Sequence, residues 1–319
     1  MNLIKPPPHL KISQWADKFR LLSTESSSEA GKFETARAIF QKEIMDSIND
    51  PTITEVVVMS CSQIGKTEIL LNAIGYYIHY APAPILIVHP TLEMARAWSQ
   101  DRLAPMIRDT EILKQKVAEV KSKDSGNTVL HKIFDGGHIT ACGANSPASL
   151  ASRPIKIVLC DEVDRYPPTA GSEGDPVMLA KRRSATFWDS KLVLTSTPTV
   201  KGASAIESAY EDTDKRLFYV PCHKCKKKQV LKWSQVQWEK NKPETVRYIC
   251  VHCEKKWTDI ERIKNIAKGQ WKATDKFNGR AGFRLNGLYS VWVTMEEAVG
   301  EFLRAKKLPE TLRVFVNTY

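Results

Sequence analysis

A chain of 319 residues has room for one large domain or two ordinary ones, and its 42% hydrophobic content excludes disorder as the main state. It carries 47 Lys and Arg against 36 Asp and Glu, and the net charge of +11 favours a polyanionic partner such as nucleic acid. The longest uncharged stretch, residues 69–92, contains Pro82 and Pro84 and so indicates a helix, a turn and a strand rather than a membrane span. No apolar run follows Lys5, so we predict an intracellular protein without a secretory signal.

The first two thirds of the chain alternate between strand-like and helical segments. The run TEVVVM at residues 54–59 predicts a strand buried on both faces, and a helix is predicted to follow at about residues 66–80. Residues 135–137, Asp-Gly-Gly, lie between two apolar runs and predict a hairpin at the sheet edge. This alternation is typical of an α/β fold with a mostly parallel sheet flanked by helices. The further predicted strands are residues 84–89, 155–160 and 191–196, and the further helices are residues 92–108 and 176–187.

The composition changes after Phe218. Residues 215–256 contain twelve Lys or Arg and three acids, a local excess of nine positive charges. A strand at GFRLNGLYS (residues 282–290) and an amphipathic helix at about residues 295–307 are predicted to follow. We therefore divide the chain into an α/β domain at residues 1–217, a basic insertion at 218–258, and a last strand with a small C-terminal subdomain at 259–319.

The segment SCSQIGKT at residues 60–67 fits a phosphate-binding loop between a buried strand and a helix. Such a loop turns its backbone N–H groups towards phosphates, and its lysine and hydroxyl reach the β- and γ-phosphates and Mg²⁺. Ser60 stands where the motif usually has its first glycine. The residues predicted to bind a nucleotide here are Ser60, Gln63, Gly65, Lys66 and Thr67.

Two further motifs end predicted strands. Asp161 and Glu162 follow IKIVLC and would lie at the carboxyl edge of a parallel sheet, where ligands of α/β proteins bind. We expect Asp161 to hold Mg²⁺ and Glu162 to polarise the attacking water. The hydroxyl residues of LTSTPT could sense the γ-phosphate, although a Ser/Thr-rich turn before Pro198 explains them nearly as well. These hydroxyl residues are Thr195, Ser196 and Thr197.

Four cysteines form two C-x-x-C pairs separated by 24 residues. Two such pairs can occupy the four corners of a tetrahedral structural Zn²⁺ site, and disulfides are disfavoured in a reducing compartment. The neighbouring lysines at residues 226–228 either contact phosphates or form a solvated face. The predicted zinc ligands are Cys222, Cys225, Cys250 and Cys253.

Taken together and in this order, these motifs resemble the large subunit of tailed-phage DNA-packaging terminases of the lambda-like, gpA type. The phosphate-binding loop, the RPIKIVLCDEVDRYP strand, LTSTPT, the paired cysteines and the closing stretch from GFRLNGLYS to LRVFVNTY follow the order of that family. Upstream, SQWADKFRLLSTESSSEAGKF followed by ARAIFQKEIMDSINDP resembles the family's adenine-side segment, in which Gln41 is the matching position.

The resemblance implies a P-loop NTPase of the ASCE, RecA-like class that uses ATP and Mg²⁺ to drive double-stranded DNA into a procapsid in the host cytoplasm. It further implies a small terminase subunit, a portal protein and other copies of the chain in a ring as partners. The family's nuclease domain would begin where this chain ends, so we expect no nuclease activity from it. The loop lacks an arginine, and we expect Arg153 to serve as the catalytic arginine, acting on a neighbouring subunit.

Two other readings remain open at this point. The residues DEVD at 161–164 and the hydroxyl motif also look like those of superfamily 2 helicases, but only about 60 residues follow the cysteine region, too few for their second RecA-like domain. A non-catalytic zinc-ribbon protein that binds DNA would also carry these cysteines and lysines. ATP turnover stimulated by DNA would distinguish a motor from such a protein.

Overall fold

The computed structural model describes residues 10–27, 29–117, 126–151, 153–199, 202–240 and 242–319. Its central sheet is built from strands that are mostly buried on both faces. Ten strands form this sheet, β1 and β2 form a separate pair, and β11 to β13 form a small third sheet. In chain order, the strands of the described residues are β1 (Leu21–Leu22), β2 (Gly31–Lys32), β3 (Glu55–Ser60), β4 (Ile85–His89), β5 (His131–Phe134), β6 (Gly137–Gly143), β7 (Ile157–Asp161), β8 (Lys191–Ser196), β9 (Arg216–Pro221), β10 (Lys228–Gln229), β11 (Val236–Glu239), β12 (Lys242–Ile249), β13 (Lys256–Trp257), β14 (Gln270–Lys272) and β15 (Arg280–Leu285).

Helices cover both faces of this sheet. They are α1 (Ile12–Phe19), α2 (Phe40–Ile48), α3 (Lys66–His79), α4 (Leu92–Trp98), α5 (Ala104–Asp109), α6 (Glu111–Lys114), α7 (Pro147–Ala151), α8 (Pro176–Arg182), α9 (Ala205–Glu211), α10 (Asp259–Ile266), α11 (Met295–Ala305) and α12 (Pro309–Thr318).

The strand order is β10-β9-β15-β3-β8-β7-β4-β6-β5, and β14 also pairs with β9. Neighbouring strands from β9 to β6 are parallel, whereas β5, β10 and β14 pair antiparallel at the two sides. The predicted fold class, a mostly parallel sheet flanked by helices, is therefore confirmed, as is the hairpin at one edge. Strand order could not be predicted, and it places β8 between β3 and β7.

The middle of β3, residues 56–59, is apolar at every position, and its packing explains why. Val56 and Val58 belong to the core on the face of α1, α2 and α3, whereas Val57 and Met59 pack on the opposite face with Tyr210 of α9. Successive side chains of a strand point to opposite faces, so a strand covered on both sides needs apolar residues at every position.

Helix α1 lies against α3 through one close approach. A Cβ atom at Gly75 would lie 2.2 Å from the Trp15 ring, so only glycine leaves room for this indole. The indole Nε1 donates to His79 Nδ1 at 2.9 Å. The N-terminal segment is thus fixed to the helix that follows the phosphate-binding loop.

The cysteine region is a small antiparallel sheet, β11-β12-β13, attached to the main sheet through β10 and β9. Strand β9 crosses the predicted boundary at residue 218, and the domain limits themselves stay a prediction. Helix α11 packs on β12, and an aromatic cluster joins α11 and α12 to the small sheet. Its members are Trp233, Trp238, Phe302, Phe315 and Tyr319.

Two predicted helices differ from the structure. The helix predicted at residues 92–108 is interrupted by a π-helical turn at Ser99–Leu103, close to Pro105, which has no N–H to donate to the preceding turn. The helix predicted at 176–187 ends at Arg182, where Ser184 Oγ donates to the Lys181 carbonyl at 2.7 Å. Throughout the described parts of the chain, the helices lack the length and apolar character that a bilayer crossing demands.

A buried arginine fixes the segment that follows β15. Arg262 of α10 is 1% exposed, and its guanidinium donates to the carbonyls of Leu288, Ser290 (2.8 Å) and Val293 (2.9 Å). Its Nε pairs with Asp259 at 2.9 Å. One cation therefore satisfies three backbone acceptors that would otherwise lack partners.

We predict that Arg262→Ala lowers the free energy of unfolding by about 3 kcal/mol, because it leaves buried carbonyls unpaired. Urea titration followed by circular dichroism measures the change. Lys264→Ala, on an exposed position of the same helix, is the control and should change stability little. A loss below about 1 kcal/mol for Arg262→Ala would show that water replaces the guanidinium without cost.

Candidate active site and metal centre

The strand order brings the three predicted nucleotide motifs to one edge of the sheet. The loop 60–67 leaves the carboxyl end of β3, the hydroxyl motif ends β8 beside it, and Asp161 ends β7 next to β8. Ligands of open α/β sheets bind at this edge. The motifs therefore lie together although Lys66 and Thr197, for example, are 131 residues apart along the chain.

The loop is shaped by residues with left-handed backbone. Gly65 has φ of 78° and Gln63 has φ of 62°, and α3 begins directly after Gly65. A Cβ atom at Gly65 would lie 2.3 Å from Gln41 Nε2, which donates to the Ile64 carbonyl at 2.8 Å. Only glycine accommodates both the φ angle and this neighbour. Ser60 is buried at the end of β3.

Lys66 lies at the centre of the site. It is 8% exposed, and its Nζ donates to the Cys61 carbonyl at 3.2 Å and to Thr197 Oγ1 at 2.9 Å. The same ammonium lies 3.5 Å from Glu162 Oε1. Lys66 is therefore surrounded by oxygen acceptors at the N-terminus of a 14-residue helix, a position that favours anions.

The two carboxylates after β7 differ in their surroundings. Asp161 is buried and accepts a hydrogen bond from Thr195 Oγ1 at 2.6 Å, and burial raises the pKa of this carboxyl group. Glu162 is partly exposed, has a left-handed φ of 55°, and lies 3.7 Å from the Arg165 Nε. Left-handed backbone in a glutamate is strained, which is common at functional sites.

The three hydroxyl residues after β8 have three different partners. Thr195 holds Asp161, Thr197 accepts from Lys66, and Ser196 Oγ accepts from the Asp164 backbone N–H at 3.2 Å. Asp164 in turn accepts from the N–H and hydroxyl of Thr199. The structure thus places Thr195 and Thr197 against site residues, whereas Ser196 contacts the segment that follows β7, through Asp164.

A cavity of about 590 Å³ opens beside the loop. Six predicted site residues line it: Gln41, Gln63, Gly65, Lys66, Thr67 and Glu162. Its volume lies within the range of pockets for small organic ligands. The phosphate-binding loop therefore forms one end of a pocket large enough for a nucleotide.

Other residues of this pocket were not identified from the sequence. Phe33 and Arg37 lie in the segment that resembles the family's adenine side. The resemblance indicates the segment as a whole and does not single out these two residues. Arg102 comes from the π-helical turn, and Trp292 follows β15. No sequence motif marks these two residues, because only the pairing of distant elements brings them to the pocket.

Arg153 lies far from the loop of its own chain. It is exposed, and its Nη1 contacts Nε2 of His131 on the edge strand β5 at 3.2 Å. Burial and the Arg153 charge lower the pKa of His131, so that the neutral imidazole can accept from the guanidinium. Five strand spacings separate β5 from β3, about 24 Å.

The four paired cysteines converge at a second site. Their sulfur atoms all lie within 4.8 Å of one another, with Cys222 and Cys253 3.8 Å apart and Cys225 and Cys250 3.9 Å apart. Burial raises the pKa of the Cys222 thiol, but the N–H groups of Cys225 and Lys224 and the neighbouring thiols together outweigh it and bring the pKa to about 7, whereas burial raises the pKa of Cys250 to about 11. Four thiolates at these distances could hold one metal ion.

The donor atoms at the sheet edge suit a different metal. Thr67 offers a hydroxyl and Asp161 a buried carboxylate, and hard oxygen donors of this kind suit Mg²⁺. The two sites therefore differ in donor chemistry, with oxygen at the phosphate-binding loop and sulfur in the turns that join β9 to β10 and β12 to β13.

Comparison with known proteins agrees with this arrangement. A family model described as the ATPase domain of the phage terminase large subunit gpA matches residues 27–271. The chain is 30% identical over its whole length to the terminase large subunit of Enterobacteria phage P21 and covers 53% of that protein. It thus spans about half the length of this curated relative.

Two solved structures share the fold. The large terminase of bacteriophage HK97 superposes with a TM-score of 0.50 at 14% identity, covering 63% of this chain and 40% of that one. The ATPase domain of the Thermus phage P74-26 large terminase gives a TM-score of 0.50 at 14% identity, covering 88% of this chain and 92% of that one.

Proposed function

The chain belongs to the phage terminase large subunits of the gpA family, and we propose on that premise that it is an ATP-hydrolysing motor that moves double-stranded DNA into a procapsid. The observation that carries the proposal is the arrangement around Lys66. Its ammonium group, the Thr197 hydroxyl and the Glu162 carboxylate meet at the N-terminus of α3 beside a pocket of nucleotide size.

The roles of the site residues follow from their positions. The Lys66 ammonium can exchange its present oxygen partners for the β- and γ-phosphates of ATP, while Gly65 and Thr67 present backbone N–H groups. Mg²⁺ bound by Thr67 and Asp161 supplies charge neutralisation at the phosphates. Thr195 keeps the Asp161 carboxylate oriented through its hydrogen bond.

Glu162 is the residue placed to act on the attacking water. Its carboxylate lies 3.5 Å from Lys66, at the pocket surface rather than inside the core. It accepts or orients the proton of the water that attacks the γ-phosphate in line. Thr197, shared with Lys66, links the end of β8 to the phosphate-binding site and can report the state of the γ-phosphate.

DNA contact is assigned to the ribbon, residues 218–258. Residues 222–228 and 250–256 form two similar turns, in which Lys226 and Glu254 occupy equivalent left-handed positions. Because the four sulfurs converge, the two turns lie side by side, and most of their lysines are exposed. These lysines suit phosphate groups of DNA and make binding independent of sequence and sensitive to salt. They are Lys224, Lys226, Lys227, Lys228, Lys255 and Lys256.

The remaining partners follow from family membership alone. We propose that the chain works in the host cytoplasm with a small terminase subunit, a portal protein and further copies of itself in a ring. Arg153 cannot reach the loop of its own chain, since about 24 Å separates their strands. Its exposed place at the sheet edge suits a role on a neighbouring subunit's nucleotide.

We predict that Glu162→Gln binds ATP nearly normally but hydrolyses it at least about a hundredfold more slowly, because the amide keeps the shape and loses the base. Lys66→Ala should lose nucleotide binding instead. ATP turnover with and without double-stranded DNA, together with ATP affinity, measures both. Glu173→Gln on an exposed loop is the control. Wild-type turnover in Glu162→Gln would contradict the assigned role, and a wild type without turnover would favour a non-catalytic DNA-binding protein.

A second prediction concerns the cysteines, which we propose bind Zn²⁺. Purified protein should contain one zinc ion per chain, and Cys250→Ser should lose it because three thiolates hold the ion more weakly. Elemental analysis after gel filtration measures the content. Cys142→Ser, at a buried cysteine of β6, should keep its zinc. Zinc-free protein, or full retention in Cys250→Ser, would contradict the proposal.

A third prediction concerns Arg153. If it completes a neighbour's site, ATP turnover per subunit should rise as the protein concentration rises. In other P-loop enzymes, a trans-acting arginine can raise the turnover rate roughly 10³-fold. Arg153→Ala should remove that rise with little change in ATP affinity, whereas Arg182→Ala on exposed α8 should keep it. Rapid turnover that is independent of concentration would show that one chain contains a complete site.

A further inference from the structure

Part of the pocket wall comes from the chain after β15. Leu285 pairs with Ser60 at the ends of β15 and β3, and the Cys61 N–H donates to the Leu285 carbonyl at 3.2 Å. The phosphate-binding loop and residues 286–294 therefore leave the sheet side by side, at the carboxyl ends of β3 and β15. Ser290 Oγ donates to the Gln63 carbonyl at 2.8 Å, which fixes one to the other.

Trp292 extends from this segment along the pocket. Its Cη2 lies 3.5 Å from the position of a Cβ atom at Gly65, whereas its Nε1, at the other end of the indole, donates to Glu29 Oε2 at 3.2 Å. The ring is only partly buried. The indole thus runs from the loop that binds phosphates towards the N-terminal segment, with part of its surface in the pocket.

Two charged residues orient the ring. The Arg37 guanidinium lies 5.8 Å from the centre of the Trp292 ring and forms two short contacts with Glu29, Nη2–Oε1 at 2.6 Å and Nε–Oε2 at 3.0 Å. Glu29 therefore joins the cation and the indole N–H. Arg37, Glu29 and Trp292 all line the pocket, so this group of guanidinium, carboxylate and indole belongs to the pocket wall.

We propose that Trp292 binds the nucleoside half of the nucleotide, which packs against its ring, with Glu29 and Arg37 as positioning residues. This inference rests on the proposed function, which supplies the nucleotide. Lys66 and the N-terminus of α3 fix the phosphates at one end of the pocket, and the nucleoside must then extend away from them. A planar base gains affinity by stacking on an indole, and it is the part of the nucleotide that a phosphate-binding loop does not recognise.

Binding of two ligands separates this role from a merely structural one. Affinities for ADP and for inorganic tripolyphosphate, both with Mg²⁺, are measured by calorimetry on the full chain. Trp292→Ala should weaken ADP roughly tenfold and leave tripolyphosphate within about twofold, because only ADP carries a nucleoside. Trp292→Phe keeps an aromatic face and should restore most of the loss.

Tryptophan emission gives an independent measurement. ADP should change the emission of the wild type, Trp292→Phe should lose that change, and Trp188→Phe, which removes an indole that is 91% exposed, should keep it. Unchanged ADP affinity in Trp292→Ala would overturn the inference. An equal loss of affinity for ADP and for tripolyphosphate would also overturn it, because it would show that Trp292 only supports the phosphate-binding loop. A wild type that binds neither ligand would overturn the proposed function together with it, and Lys66→Ala should lose both ligands if that function is correct.

Discussion

Parallel pairing of β3 with β8 on one side and β15 on the other is the constraint on which the remaining geometry depends. The pairing with β8 places Thr197 within 2.9 Å of Lys66, and β8 in turn positions Asp161 through Thr195. The pairing with β15 brings residues 286–294 beside the phosphate-binding loop. Slippage of either pair by one residue would exchange the faces of a strand and separate these groups.

Positive charge is arranged differently at the phosphate-binding loop and in the ribbon. At the phosphate-binding loop a single buried ammonium is surrounded by carboxylate, hydroxyl and carbonyl oxygens, so positive charge there is local and directed. In the ribbon, most lysines of the two turns at residues 222–228 and 250–256 are exposed. The first arrangement favours recognition of one polyphosphate in one pose, and the second favours loose attraction to an extended polyanion.

Local spacing made part of the site predictable. Gly65, Lys66 and Thr67 are consecutive residues after a buried strand, and the cysteines occur in pairs, so each group could be found from a short window of sequence. Thr195 and Thr197 were ambiguous with an ordinary turn, because their value depends on where β8 lies in the sheet. Trp292, Arg37 and Arg262 left no signal, since their roles require contacts between elements far apart in the chain, which a single sequence does not reveal.

The central sheet extends past the limit of the family match, because β15 belongs to it. The family match stops at residue 271, yet β15 at Arg280–Leu285 pairs with all six residues of β3. A chain cut at 271 would leave β3, an uncharged run of valines after Glu55, as a flat edge strand with unsatisfied N–H and C=O groups. Such an edge is a template for aggregation, so we expect a folding unit that stays in solution to extend beyond the limit of the family match.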